Sequence, residues 1–135
     1  MSITGKCLCG AISYSVDNPP ALTGVCHCKN CQRQAGSAFS TLAGVPLNEL
    51  YILGETKVYT DPDTHSGNTV KRFFCDKCGS PIYSAVQSSP DMVYLKTGTL
   101  DDTSAFEPRF HLWCDTKQNW VDIPDGVPAM PGNPA

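Results

Sequence analysis

Two short cysteine pairs constrain this chain more than any other feature. Cys7-Leu8-Cys9-Gly10 stands near the start, and Cys75-Asp76-Lys77-Cys78-Gly79 lies past the middle. Two intervening residues let the sulfurs of Cys75 and Cys78 reach one tetrahedral ion from a tight turn, and Gly79 permits the positive φ such a turn needs. Cys7 and Cys9, two apart, share one face of an extended strand. Two plus two makes a saturated Cys₄ site of the structural kind for Zn²⁺. Such a site would tie Cys9 to Cys75 and close about half the chain into a loop. On the chain-entropy account of cross-links this is worth roughly 4 kcal/mol. That is a large share of the roughly 5–15 kcal/mol that holds an ordinary domain together.

Three more cysteines, Cys26, Cys28 and Cys31, sit in Val25-Cys26-His27-Cys28-Lys29-Asn30-Cys31-Gln32-Arg33. Acting alone they leave a zinc ion one protein ligand short. Sites of that kind keep the fourth position for water or substrate. A Zn²⁺ there would hold an arriving thiol as its thiolate and could polarise a carbonyl oxygen, which suits chemistry between a thiol and an aldehyde. A fourth side chain could instead close the site, with His27, His111 and Cys114 the candidates. His27 alternates to the opposite strand face from Cys26 and Cys28. Cys114, in the apolar setting Leu112-Trp113-Cys114, reads as a core cysteine. A redox or vacant triad is the remaining alternative.

The setting of the chain bears on what these thiols do. No apolar run approaches the roughly 20 residues of a membrane span, and Met1 stands too close to Cys7 for a signal peptide. The expected location is therefore the cytoplasm, where clustered cysteines mean metal more often than disulfides. A net charge of −3 offers no basic excess for nucleic acid. The cations nevertheless gather near the cysteines. Lys6, Lys29, Arg33, Lys71, Arg72 and Lys77 all lie within four residues of one of the seven just named, and thiolate-rich metal sites carry excess negative charge.

A chain of 135 residues is expected to form one domain, over 1–123, with a small core that metal sites would help to hold. Alternating or β-rich stretches at 3–16 (on both sides of 7–10), 22–28, 37–45, 51–53, 56–60, 69–74, 81–86, 92–97, 110–114 and 120–123 predict short strands. Loop chemistry fills 61–68. The spacing predicts one helical turn at most, over 29–34 and stopped by Gly36. The fold class is all-β, built of antiparallel sheets stapled by zinc. Residues 124–135, with four prolines and two glycines, are expected to be a tail, draped over the body or disordered.

Taken together, four motifs resemble the glutathione-dependent formaldehyde-activating (GFA) family, which includes centromere protein V. They are Gly5-x-Cys7-x-Cys9-Gly10, Cys26-His27-Cys28-x-x-Cys31-Gln32-Arg33, Gly36-Ser37-Ala38-Phe39 and Arg72-x-Phe74-Cys75-x-x-Cys78-Gly79-Ser80. The likeness continues through Leu53-Gly54-Glu55, residues 108–113, Lys117 and Trp120. It implies a β-tent fold with two zinc ions per chain: a structural one on Cys7, Cys9, Cys75 and Cys78, and a catalytic one on Cys26, Cys28 and Cys31. It also implies a carbon–sulfur lyase that makes or breaks an S-hydroxymethyl adduct between a small thiol, such as glutathione, and an aldehyde. In that scheme Arg33 or Lys29 would hold a substrate carboxylate, and Phe39, Phe74 and Trp113 would wall the pocket or belong to the core. The competing function is a zinc-stabilised binding module without turnover, which a triad closed by Cys114 or His111 would favour.

Overall fold

The structure, a computed structural model, describes residues 3–64 and 66–133. His65 of the expected loop and residues 134–135 of the expected tail lie outside the described residues.

Alternation along the short strands sorts them into two sheets. β1 (Ile3–Lys6), β2 (Ser13–Val16) and β5 (Leu50–Leu53) form a three-stranded antiparallel sheet in the order β1-β2-β5. The second sheet takes β3 (Leu22–Cys26), β4 (Ser40–Pro46), β6 (Lys57–Asp61), β7 (Val70–Phe74), β8 (Pro81–Val86), β9 (Met92–Lys96) and β10 (His111–Leu112). Its order is β10-β3-β4-β9-β8-β7-β6, antiparallel except where the two-residue β10 runs parallel to β3. The helix α1 (Lys29–Ala35) follows β3 and is nearly two turns long, where the sequence predicts one. Gly36 ends it at φ 63, a left-handed position that glycine takes at little cost.

The core lies between the small sheet and one face of the large one. Ile12, Tyr14 and Val16 meet Ala43, Val45, Ile82, Val93 and Leu95, with Cys7 and Cys75 inside the same cluster. Each large aliphatic side chain buried there contributes about 1.5–3 kcal/mol. Because strand side chains alternate, the partners Leu42, Tyr94 and Lys96 turn to the opposite face. Asn30, in the first turn of α1 after β3, donates to Asp61 in the far edge strand β6 at 3.0 Å. For those two residues to meet, the seven-stranded sheet must curl, and its second face becomes the inside of a cavity.

Two expectations require correction. Residues 120–123 form no strand; Trp120 is exposed and Val121 is held by Lys117, whose Nζ donates to its carbonyl at 2.7 Å. The outer edge of β10 is taken by the following chain instead, where His111 N donates to Pro128 O (2.8 Å) and Met130 N to His111 O (2.9 Å). The tail is thus draped on the body as far as residue 133. The stretch around Cys7 and Cys9 is likewise no strand. It is a turn closed by Gly10 N donating to Cys7 O, with Gly10 at φ 80.

Candidate functional site

The first cysteine cluster joins the two sheets. Cys7 and Cys9 come from the β1–β2 turn, and Cys75 and Cys78 from the turn after β7. All four sulfurs lie within 4.8 Å of one another. Cys7 and Cys9 are 3.7 Å apart, as are Cys9 and Cys75. The turns are set by amide bonds to sulfur and hydroxyl. Ile12 N donates to Cys7 Sγ at 3.3 Å, and Leu8 N to Ser80 Oγ at 3.0 Å. Ser80 Oγ also lies 3.3 Å from Cys78 Sγ, within hydrogen-bond reach. Hydrogen bonding from Ser80 is the chief reason the Cys78 thiol is pushed down to about 5. Gly79 sits at φ 81, as the knuckle motif requires.

The second cluster is local. Cys26 ends β3, Cys28 caps α1 by accepting from Cys31 N at 3.2 Å, and Cys31 lies in the first turn of α1. The three sulfurs fall within 4.8 Å of one another, and among the described residues no histidine, carboxylate or fourth cysteine joins them. His27 is wholly buried on the other side, its Nε2 2.9 Å from His111 Nδ1 and its ring edge-on to Phe39. Cys114 begins a short 3₁₀ turn, half-buried, and belongs to neither cluster. The three candidates for a fourth ligand are therefore turned to other partners or placed elsewhere.

The triad opens on a cavity of ≈ 350 Å³ on the concave face of the large sheet. Two buried cations border it with the sulfurs. Lys96 Nζ donates to Ser40 Oγ at 2.6 Å. Arg72 is clamped by Asp61, with Nε at 3.0 Å and NH2 at 2.9 Å from Oδ2. Burial lowers the Lys96 ammonium, and the charge on Cys31 works against that. Contacts from the Cys26 and Cys28 thiols draw the Cys31 thiol well down, with Lys96 and Arg72 adding to the effect, while contacts with Cys28 and Cys31, and burial, push the Cys26 thiol up. Negative charge in the cluster thus gathers beside the two cations.

Trp113 forms part of the wall, in a left-handed conformation (φ 56) that costs a bulky residue of order 1–3 kcal/mol. The tail holds it there. Trp113 N donates to Gly132 O at 3.2 Å and Nε1 to Asn133 Oδ1 at 2.9 Å. Phe39 and Phe74 do not border the cavity. Lys29 and Arg33 are exposed on α1 and border shallower depressions outside it. Sequence reasoning marked Arg72 only as a cation near cysteines, and missed Lys96. A lysine ending the apolar run Val93-Tyr94-Leu95 was the available signal, since both faces of that strand are covered.

A curled antiparallel sheet, one closed four-cysteine cluster and one three-cysteine cluster open to a cavity define an all-β domain with two places that could hold metal ions. The family model for glutathione-dependent formaldehyde-activating enzyme matches residues 2–116, and the chain belongs to that family. A protein of Halomonas elongata named "Putative glutathione-dependent formaldehyde-activating enzyme" is 27 % identical over 128 residues, 91 % of this chain and 82 % of its own length. A protein of the same name from Podospora anserina is 27 % identical over 86 residues, 62 % of this chain and 39 % of that one. A crystal structure of a Rhodobacter sphaeroides protein superposes with a TM-score of 0.59 at 24 % identity, covering 78 % of this chain and 92 % of that one, a likeness of fold. No helix among the described residues is long and apolar enough to cross a membrane.

Proposed function

We propose that this chain is a zinc-dependent carbon–sulfur lyase that makes or breaks an S-hydroxymethyl-type adduct between a small thiol and an aldehyde. The observation that carries the reading is the contrast in ligand count. One cluster is complete with four sulfurs, and the other has three and faces a cavity.

Zinc fits the donor sets. Thiolates are soft ligands, and Zn–S bonds of about 2.3 Å at tetrahedral angles put sulfurs about 3.8 Å apart, close to the 3.7 Å between Cys7 and Cys9 and between Cys9 and Cys75. Cys7, Cys9, Cys75 and Cys78 would hold the structural ion, and Cys26, Cys28 and Cys31 the other. When bound at the triad, zinc supplies a Lewis-acid centre that favours thiolate over thiol.

The reaction is balanced without a redox partner. The thiol sulfur adds to the carbonyl carbon, the C=O π pair moves to oxygen, and the proton given up by the thiol ends on that oxygen; cleavage is the reverse. Lys96 is placed to serve the oxygen. Ser40 fixes the ammonium by taking one of its three N–H groups. Another N–H can stabilise the developing alkoxide and pass it a proton. Arg72, held by Asp61, adds a fixed positive field on the same wall. Apolar walls limit water and strengthen both effects.

The test is zinc quantification paired with titration of thiols and formaldehyde. Two zinc ions per chain, with thiol binding abolished in Cys28→Ser, is the expected result. Two zinc ions and no thiol response would replace the lyase with a zinc-stabilised binding module.

A further inference from the structure

The cavity beside the triad has a partly apolar wall with no carboxylate among the described residues. Resting on the lyase reading, we propose that its thiol substrate carries an apolar, uncharged body, an aryl or branched alkyl group, and that Trp113 sets this preference from a position fixed by the C-terminal segment.

Leu42, Val70, Val86, Tyr94, Phe110 and Trp113 give the wall its apolar part. The two cations stand with the sulfurs, where Asp61 neutralises Arg72 and Lys96, oriented by Ser40, serves the reacting oxygen and not the substrate body. The other polar groups are neutral hydroxyls and amides, and among the described residues no carboxylate borders the cavity. Glutathione brings two carboxylates and an ammonium. Its ammonium would meet no counter-charge on the wall among the described residues, so nothing there compensates the water it gives up. Lys29 and Arg33, the cations best suited to free carboxylates, lie outside. A volume of ≈ 350 Å³ is also at the small end for ligand sites.

The placement of Trp113 comes from beyond the family match, which ends at residue 116. Gly132 O and Asn133 Oδ1 hold its backbone and indole N–H, and Asn133 itself borders the cavity. Residues 132–133 thus keep a strained aromatic in the cavity wall.

The experiment uses the full chain with its zinc content confirmed and compares phenylmethanethiol with glutathione, each with formaldehyde, by binding and by kcat/KM. We expect the aryl thiol to be favoured by at least about tenfold. Asn133→Ala and Trp113→Ala should each bring the ratio towards one while zinc content stays the same. Equal or better use of glutathione overturns the proposal and leaves the lyase standing. No response to either thiol at full zinc content overturns both. An aryl preference that survives both variants overturns the assignment to Trp113.

Discussion

The two cysteine clusters use the same ligand atom and are built in opposite ways. The four-cysteine cluster joins turns from separate sheets, with Cys9 and Cys75 separated by 66 positions and Cys7 and Cys75 packed in the core. The three-cysteine cluster is assembled within the end of one strand and the start of one helix. Cross-link stabilisation grows with the length of chain enclosed, so an ion in the first cluster would hold the fold and one in the second would contribute little to it. A cluster that does not carry the fold can leave a coordination position open. The surroundings agree with that division: turns and amide bonds saturate the first, while the second borders a cavity with Lys96 and Arg72.

The largest effect that could break this contrast is at Cys75. Cys75→Ser should remove about 4 kcal/mol and yield insoluble or unfolded protein, read by solubility and denaturant melts. A folded, half-metallated variant would end the structural assignment. Cys28→Ser should do the reverse, lowering adduct kcat/KM more than about 100-fold, beyond the loss usual for groups that merely support a metal ligand. Its unfolding midpoint should stay close to that of the parent.

Lys96→Met sharpens the reading of the open site. It should lower kcat/KM by about 100-fold, within the range for a lost proton donor. Zinc content should hold, since Lys96 is not one of the three sulfur ligands. A smaller effect is expected from acid. Burial first, then the nearness of His111 and Lys117, pulls the His27 imidazole down to about 4, against about 6.5 when unfolded. Between these values the unfolded chain binds more protons, so stability falls as pH drops below about 6.5. The advantage of the parent over His27→Gln should shrink by up to about 2 kcal/mol from pH 7 to pH 5 in urea melts. The smallest effect belongs to Lys29→Ala and Arg33→Ala, which should change kcat/KM less than about threefold, as exposed charges outside the cavity. A larger loss would place substrate carboxylate binding on the outer face of α1.

Much of the fold was legible because it rests on short-range chemistry. The knuckle at Cys75 and Cys78 needs a positive φ at Gly79 and has it, and Gly36 ends α1 where the spacing predicted a stop. Strands with clear alternation, such as β8 and β9, follow from period alone. Residues 120–123 looked equally strand-like and are not one, because the chain at 128–130 occupies the available edge of β10. Cys7 and Cys9 converge through a turn, a geometry that spacing of two does not distinguish from a strand.

The sequence by itself determined the ligand types, their grouping into four and three, and the family. Those depend on residues a few positions apart, whose relative reach is limited by local backbone geometry. Only the tertiary structure decided what surrounds the three. His111 meets His27 across 84 positions, Lys96 meets Ser40 across 56, and Trp113 meets Asn133 across 20. Such contacts depend on how the sheet curls and which edge the tail covers. Packing, which no spacing records, keeps His111 and Cys114 away from the sulfurs and leaves a cavity beside them.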